Sequence, residues 1–290
     1  TYFSLMGMGS EIVRSGGVRF AGFVGGAGLY ASVLILSLFL IYLLFKAAVA
    51  VIQPTGADRM RQVRLAAASG WMLTLVVAIY WASEFSSARF IILWGGVVCA
   101  ALVLMTMVSV SERDFISERV ARDLPAGQTA RRLSFILSSG AAGGLAWVAL
   151  MTAFTALAVN IFSALTHVSY AGDLNEASIA MLTFMSFTMG YGLFAVFIRR
   201  TLFSSLVDTR NNWVVMLLVF VGFSVLPMFL GVFVGSNSDL IMMGNPFVAS
   251  SKLAEGVLVG IGVLFTGLMA NFLWLRRQFR EFLTAGQSDR

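Results

Sequence analysis

The chain has 290 residues, of which 59% are hydrophobic and 12% charged, and its mean hydropathy is +0.88. That leaves too little polar surface to cover a soluble globule of this size, so composition predicts an integral membrane protein. The formal charge of +6 does not argue for nucleic acid as a partner, because Lys and Arg sit in short segments between apolar runs, where they set topology and meet anionic headgroups.

The chain begins at Thr1 without a basic n-region, short apolar core and cleavage site, as expected of a fragment or processed product. Residues 1–28 are Gly-rich and interrupted by Glu11, Arg14 and Arg19, which predicts an interfacial lead-in rather than a span. Seven stretches then have the length to cross a hydrocarbon layer roughly 30 Å thick as helices. They are 29–52, 65–83, 90–110, 140–165, 177–198, 213–235 and 256–275, and Lys46 is the one charged residue among their 155. Lys46 lies near the end of the first stretch, where it can snorkel to the headgroups.

Alternate sides are assigned by taking 111–132 as cytoplasmic, since it is the longest charged run and holds five of the twenty Lys and Arg residues. Segments 53–64, 111–132, 199–212 and 276–290 then carry fifteen Lys and Arg in all, and the intervening segments carry four. The positive-inside rule reads this as an N-terminus outside and a C-terminus inside. The expected fold is an all-α, polytopic transmembrane helical bundle of about seven spans. Its parts are the lead-in 1–28, an extra helix 29–52 and a six-helix unit 53–290.

Pro54 and Pro125 fall in connections, whereas Pro227 lies inside the sixth span and predicts a kink near Ser224. Trp71, Trp94, Trp213 and Trp274 lie near predicted ends, where interfacial aromatics sit. Three GxxxG spacings, Gly140–Gly144, Gly231–Gly235 and Gly256–Gly260, suit close helix approach within the chain better than dimerisation. The apolar run within Ser236–Glu255 predicts a segment partly embedded at the outer surface, because Leu240 to Met243 and Pro246 to Val248 would otherwise be exposed to water.

The chemistry that the chain lacks is informative. One cysteine, Cys99, and one histidine, His167, exclude an intrachain disulfide, a thiolate cluster and a bis-histidine haem, so no cofactor or metal is expected. Ser139-Gly140-Ala141 with Gly143 and Gly144 is similar to the serine motif of rhomboid proteases, but the glycine spacing differs. Ser139 and His167 are also expected on opposite membrane faces, so no enzyme is expected. The spans contain no carboxylates for ion coupling; Asn160 and Asn271 are read as interhelical hydrogen-bond partners or pathway residues. No Walker A sequence is present, so any nucleotide hydrolysis must come from another chain.

Without the first helix, six spans run from inside to inside. The second and third are joined by the charged loop 111–132, and the fifth and sixth by the long outer stretch 236–255. Together with Ser111-Glu112-Arg113 leading to Leu124-Pro125, and Asn245-Pro246-Phe247 before the last span, this arrangement resembles the ABC-2 type transporter permease family over roughly residues 53–290. The continuation Asp114-Phe115 departs from the family's usual Gly-Thr, and the first helix is additional.

The resemblance implies the membrane subunit of an ATP-driven exporter in a cell membrane, expected to be a bacterial inner membrane. It also implies a separate ATPase subunit and a homo- or heterodimer of permease chains. Partner docking is assigned to the cytoplasmic loop through Arg113, Asp114, Phe115, Ile116, Glu118, Arg119 and Val120. The four-residue spacing of Ile116 and Val120 places them on one face of an amphipathic helix. The alternative is a polytopic membrane scaffold or sensor without transport activity.

Overall fold

The computed structural model describes residues 21–52, 58–85, 87–112, 118–122, 124–125, 127–165, 171–202, 212–234, 245–251 and 253–285. Among these residues the secondary structure is all helical. The helices are α1 (Ala21–Ile52), α2 (Arg59–Glu84), α3 (Arg89–Val110), α4 (Glu118–Arg122), α5 (Gln128–Leu137) and α6 (Ala141–Leu165). They continue with α7 (Ala171–Leu202), α8 (Asn212–Val234), α9 (Pro246–Ser251), α10 (Leu253–Ala270) and α11 (Phe272–Thr284).

Five helices contain stretches long and apolar enough to cross a membrane: Tyr30–Ala50, Met60–Glu84, Arg89–Val110, Ala141–Ala164 and Gly172–Leu202. The bent pair Glu255–Ala270 and Phe272–Thr284 makes a sixth if taken as one span. The chain is therefore a multi-pass helical membrane protein. This differs from seven uniform spans at the last of them. Helix α8, Asn212–Val234, covers nearly all of the expected sixth stretch 213–235. The expected final span 256–275 instead breaks at Asn271, where α10 and α11 meet at 63°. Helix α1 also starts at Ala21, inside the stretch read as a lead-in.

The change of direction follows from a change of sequence period. Helix α10 is apolar around its circumference, whereas α11 reads FLWLRRQFREFLT, with Arg276, Arg277 and Arg280 on an exposed flank. Charges at that density cannot continue into hydrocarbon, so the helix turns away from the span direction. Asn271 sits at the corner. Its amide donates to the Leu193 carbonyl of α7 at 2.8 Å and to the Gly267 carbonyl at 3.0 Å. Asn271→Leu should lower stability by about 1 kcal/mol, the usual size of an interhelical hydrogen bond in a membrane, read as thermal unfolding in mild detergent. Unchanged stability would assign the bend to the arginines alone.

The chain divides into two compact units between Phe45 and Lys46. The first carries α1 as far as Phe45, with Leu34, Leu38, Ile41 and Phe45 exposed. In the second, α7 is the most buried of the candidate spans and packs against α3, α6, α8, α9 and α10. Small residues make this possible, because in lipid close packing replaces the hydrophobic drive between helices. Gly190 and Gly192 are two residues apart and so open nearly opposite faces of α7. A Cβ on Gly190 would meet Val263 and the backbone of Leu264 on α10, and one on Gly192 would meet Thr106, Val110 and Met216 on α3 and α8. From the other side, Gly260 faces the Thr183 carbonyl and Gly267 faces Leu193 and the Gly190 carbonyl.

Polar fasteners complete the bundle. Trp71 donates its indole N–H to Thr155 Oγ1 at 2.9 Å, joining α2 to α6, and Trp94 donates to Thr74 Oγ1 at 3.0 Å, joining α3 to α2. Each threonine passes its own hydroxyl hydrogen to a carbonyl of its helix, so every polar atom in the relay is used. The positions predicted for interfacial tryptophans are thus partly internal. Trp94 and Trp274 are buried, Trp71 is half-buried and Trp213 is exposed.

Candidate functional site

The described parts of the segments that carry most of the Lys and Arg meet at one end of the second unit, and a belt of buried polar contacts forms there. Its centre is the turn between α5 and α6, Ser138-Ser139-Gly140. Gly140 has φ +151°, a conformation that residues with a Cβ rarely adopt, so the turn requires glycine at this position. The turn leaves the last carbonyls of α5 and the first N–H groups of α6 without helical partners.

Two charged side chains from other helices supply those partners. Arg64, near the start of α2, is almost fully buried and donates to the carbonyls of Ile136 at 3.1 Å, Ser138, and Gly140 at 3.5 Å. A cation is thereby set at the C-terminal end of α5, where the helix dipole favours it. Glu112, just beyond α3, accepts the Gly140 N–H beside the N-terminus of α6, the end that favours an anion. The two charges are also paired directly, Arg64 Nη2 donating to Glu112 Oε1. Burial pushes the Glu112 carboxyl above its ordinary range, and the Arg64 guanidinium and the Gly140 N–H oppose that tendency.

Space for the guanidinium comes from Gly144, where a Cβ would lie 2.7 Å from Arg64 Nη2 and 2.5 Å from Ser109 Oγ. The Gly140–Gly144 spacing therefore builds an arginine socket, with one glycine for the turn and one for the room.

The same turn is held from a third side. Asp58, ahead of α2, accepts both the backbone N–H of Ser139 at 2.8 Å and its hydroxyl at 2.9 Å. Ser139 Oγ in turn accepts the Met60 N–H at 3.1 Å, satisfying a donor of the first turn of α2. The hydroxyl that resembled a protease nucleophile is thus engaged with Asp58 and Met60, and His167 lies outside the described residues.

Two further contacts extend the belt. Asn212, at the start of α8, donates to the Val110 carbonyl at 2.7 Å, and the Trp213 N–H donates to Ser111 Oγ at 2.9 Å. Arg131 of α5 is buried and donates to the carbonyls of Pro125 at 3.2 Å and Leu283 at 2.6 Å, tying α5 to α11. Phe135 packs edge-on against Phe279 and Phe282, with centroids 5.1 and 5.3 Å away. Arg200 of α7 lies 5.5 Å from the centroid of the Trp274 ring.

Of the residues singled out from sequence, Arg113, Asp114, Phe115 and Ile116 lie outside the described residues. Glu118 and Arg119 begin α4, and Val120 on that helix is buried. Asn160 and Asn271 each bond to α7, from different helices. Asn160 Oδ1 accepts the Ser178 hydroxyl at 3.3 Å, bridging α6 and α7, while Asn271 bonds to α7 from the α10–α11 corner. Ahead of α9, Asn245 donates to the Ser224 carbonyl at 2.6 Å, three residues before Pro227, and accepts the Phe247 N–H at 2.9 Å. It thereby caps α9 and ties it to α8.

Sequence reasoning did not pair Arg64 with Glu112: it counted Arg64 among the loop charges of 53–64 and read Glu112 as part of the Ser111-Glu112-Arg113 motif. Their position immediately at the ends of two spans was the available signal. Among the described residues no group of three His, Cys, Asp or Glu could hold a metal ion. No protein-family model, curated protein or solved structure matches the chain.

Proposed function

We propose that the chain is the membrane-spanning permease subunit of an ATP-driven exporter of the ABC-2 type, working as a dimer with a separate ATPase chain. One observation carries this reading: the charged segment 111–132 is clamped to the spans at both ends. At its start, Glu112 is held by Arg64 of α2 and by Gly140. At its far end, α5 is held by Arg64 and by α11. A segment that receives force from a partner must be anchored rigidly to the helices it moves, and this belt connects it to α2, α3 and α6 together. Glu84, Asp173, Glu176 and Glu255 lie at the ends of the candidate spans and not midway along them, which together with the lack of a Walker A sequence supports an external energy source. In this reading the basic end is cytoplasmic, and Arg113, Asp114, Glu118 and Arg119 meet the ATPase.

The test is purification of the complex in mild detergent. A co-purifying ATPase is expected, with a rate that falls several-fold on charge reversal at Arg113 and Arg119. If no ATPase accompanies the chain, or its rate ignores both reversals, the exporter reading fails in favour of a membrane scaffold or sensor.

A further inference from the structure

We propose that α11, together with the exposed flank of α5, forms an interfacial platform that binds the anionic phospholipid headgroups of the leaflet at the basic end. This is independent of whether the chain transports anything. The argument starts from direction. Helix α11 leaves α10 at 63°, so with α10 spanning along the membrane normal α11 runs closer to the membrane plane than to the normal. Its register is amphipathic, with Trp274, Gln278 and Phe282 buried at four-residue spacing. The Phe135 contacts and the Arg131 bond to the Leu283 carbonyl hold it against α5, so the platform is built rather than trailing.

The remaining flank is cationic. Arg276, Arg277 and Arg280 are exposed on α11, and Arg132 is exposed on α5. Arg277 pairs with Glu281 at 2.7 Å, but both side chains are exposed and the flank stays net positive. The opposite end of the second unit is acidic by comparison, with Glu84, Asp173, Glu176 and Glu255 exposed alongside Arg89. Anionic headgroups complement the first end and not the second.

A bilayer is favoured over a soluble polyanion because of what lies beside the arginines. Phe272 is 51% exposed and Leu273 76% exposed, directly before the cationic flank. A nucleic acid or polyphosphate would leave these side chains in water. A membrane interface covers them while presenting phosphate to the guanidinium groups.

The test uses the full chain purified from mixed micelles of phosphatidylcholine and phosphatidylglycerol, with the retained lipids measured by mass spectrometry. The wild type should retain phosphatidylglycerol preferentially. The triple variant Arg276→Gln, Arg277→Gln, Arg280→Gln should lose that preference by on the order of tenfold at low salt. The corresponding triple Lys variant should keep most of it, and Arg89→Gln should leave it unchanged. Should the Gln variant not fold, the wild type decides the matter alone: its preference must shrink at high salt, as screening requires. A preference unaffected by salt, an unchanged preference in the Gln variant, or equal displacement of lipid by a short RNA would overturn the proposal.

Discussion

Arg64→Ala should destabilise the protein by about 3–5 kcal/mol, the range seen when one partner of a buried ion pair is removed and the other charge is left uncompensated. Glu112 would lose its counter-ion while still buried, and the carbonyls of Ile136 and Ser138 would lose their donor. Thermal unfolding in mild detergent is the direct measurement, with recovery of folded protein as a second. Arg64→Lys should be only partly tolerated, because an ammonium cannot reach as a planar fork toward Glu112 and the turn carbonyls together.

The double variant Arg64→Met with Glu112→Met separates two accounts. If the pair were self-contained, removing both charges would restore stability. Here each charge also serves the α5–α6 turn, so the double variant should remain about 1–3 kcal/mol below wild type for each turn group left unsatisfied. Full restoration, or a single variant as stable as wild type, would show that the belt is ornamental to stability.

Gly190→Leu is expected to give the second large effect, a loss of about 3 kcal/mol or more through overpacking of a close helix contact. A Cβ at this position already lies 2.8 Å from Val263 Cγ1 and 3.2 Å from the Leu264 backbone nitrogen, so a longer side chain must push α10 away from α7. Separation there also pulls Gly267 from Leu193 and strains the Asn271 bond to the Leu193 carbonyl. Gly262→Leu is the control, since a Cβ at Gly262 meets nothing within 4 Å. Equal melting temperatures for the two variants would refute the assignment of Gly190 to a packing seam.

The two large effects fall on different kinds of residue, and their legibility in sequence differs for the same reason. Hydropathy and length are local properties, so membrane insertion and the approximate placement of most spans could be read directly from the apolar runs. The fifteen-to-four distribution of Lys and Arg grouped the segments that meet at one end, and Arg64 with Glu112 and Gly140, Asn212 with Val110, and Arg131 with Leu283 lie together there. Glycine content announced close packing in general terms.

Which glycine faces which neighbour was not local information. Gly140–Gly144 and Gly256–Gly260 share one spacing, yet the first houses a guanidinium while the second faces the Ala249 and Thr183 carbonyls. Arg64 and Glu112 are 48 residues apart and look in sequence like unrelated charges at the ends of two spans. Only the neighbouring placement of α2, α3 and the α5–α6 turn converts them into a buried pair, because the low dielectric that makes them matter is created by the packing itself. The bend at Asn271 follows the same logic. The onset of arginines in α11 marks where the helix must leave hydrocarbon, but its direction depends on the Leu193 carbonyl and on Phe135 and Arg131, groups that the fold alone brings within reach.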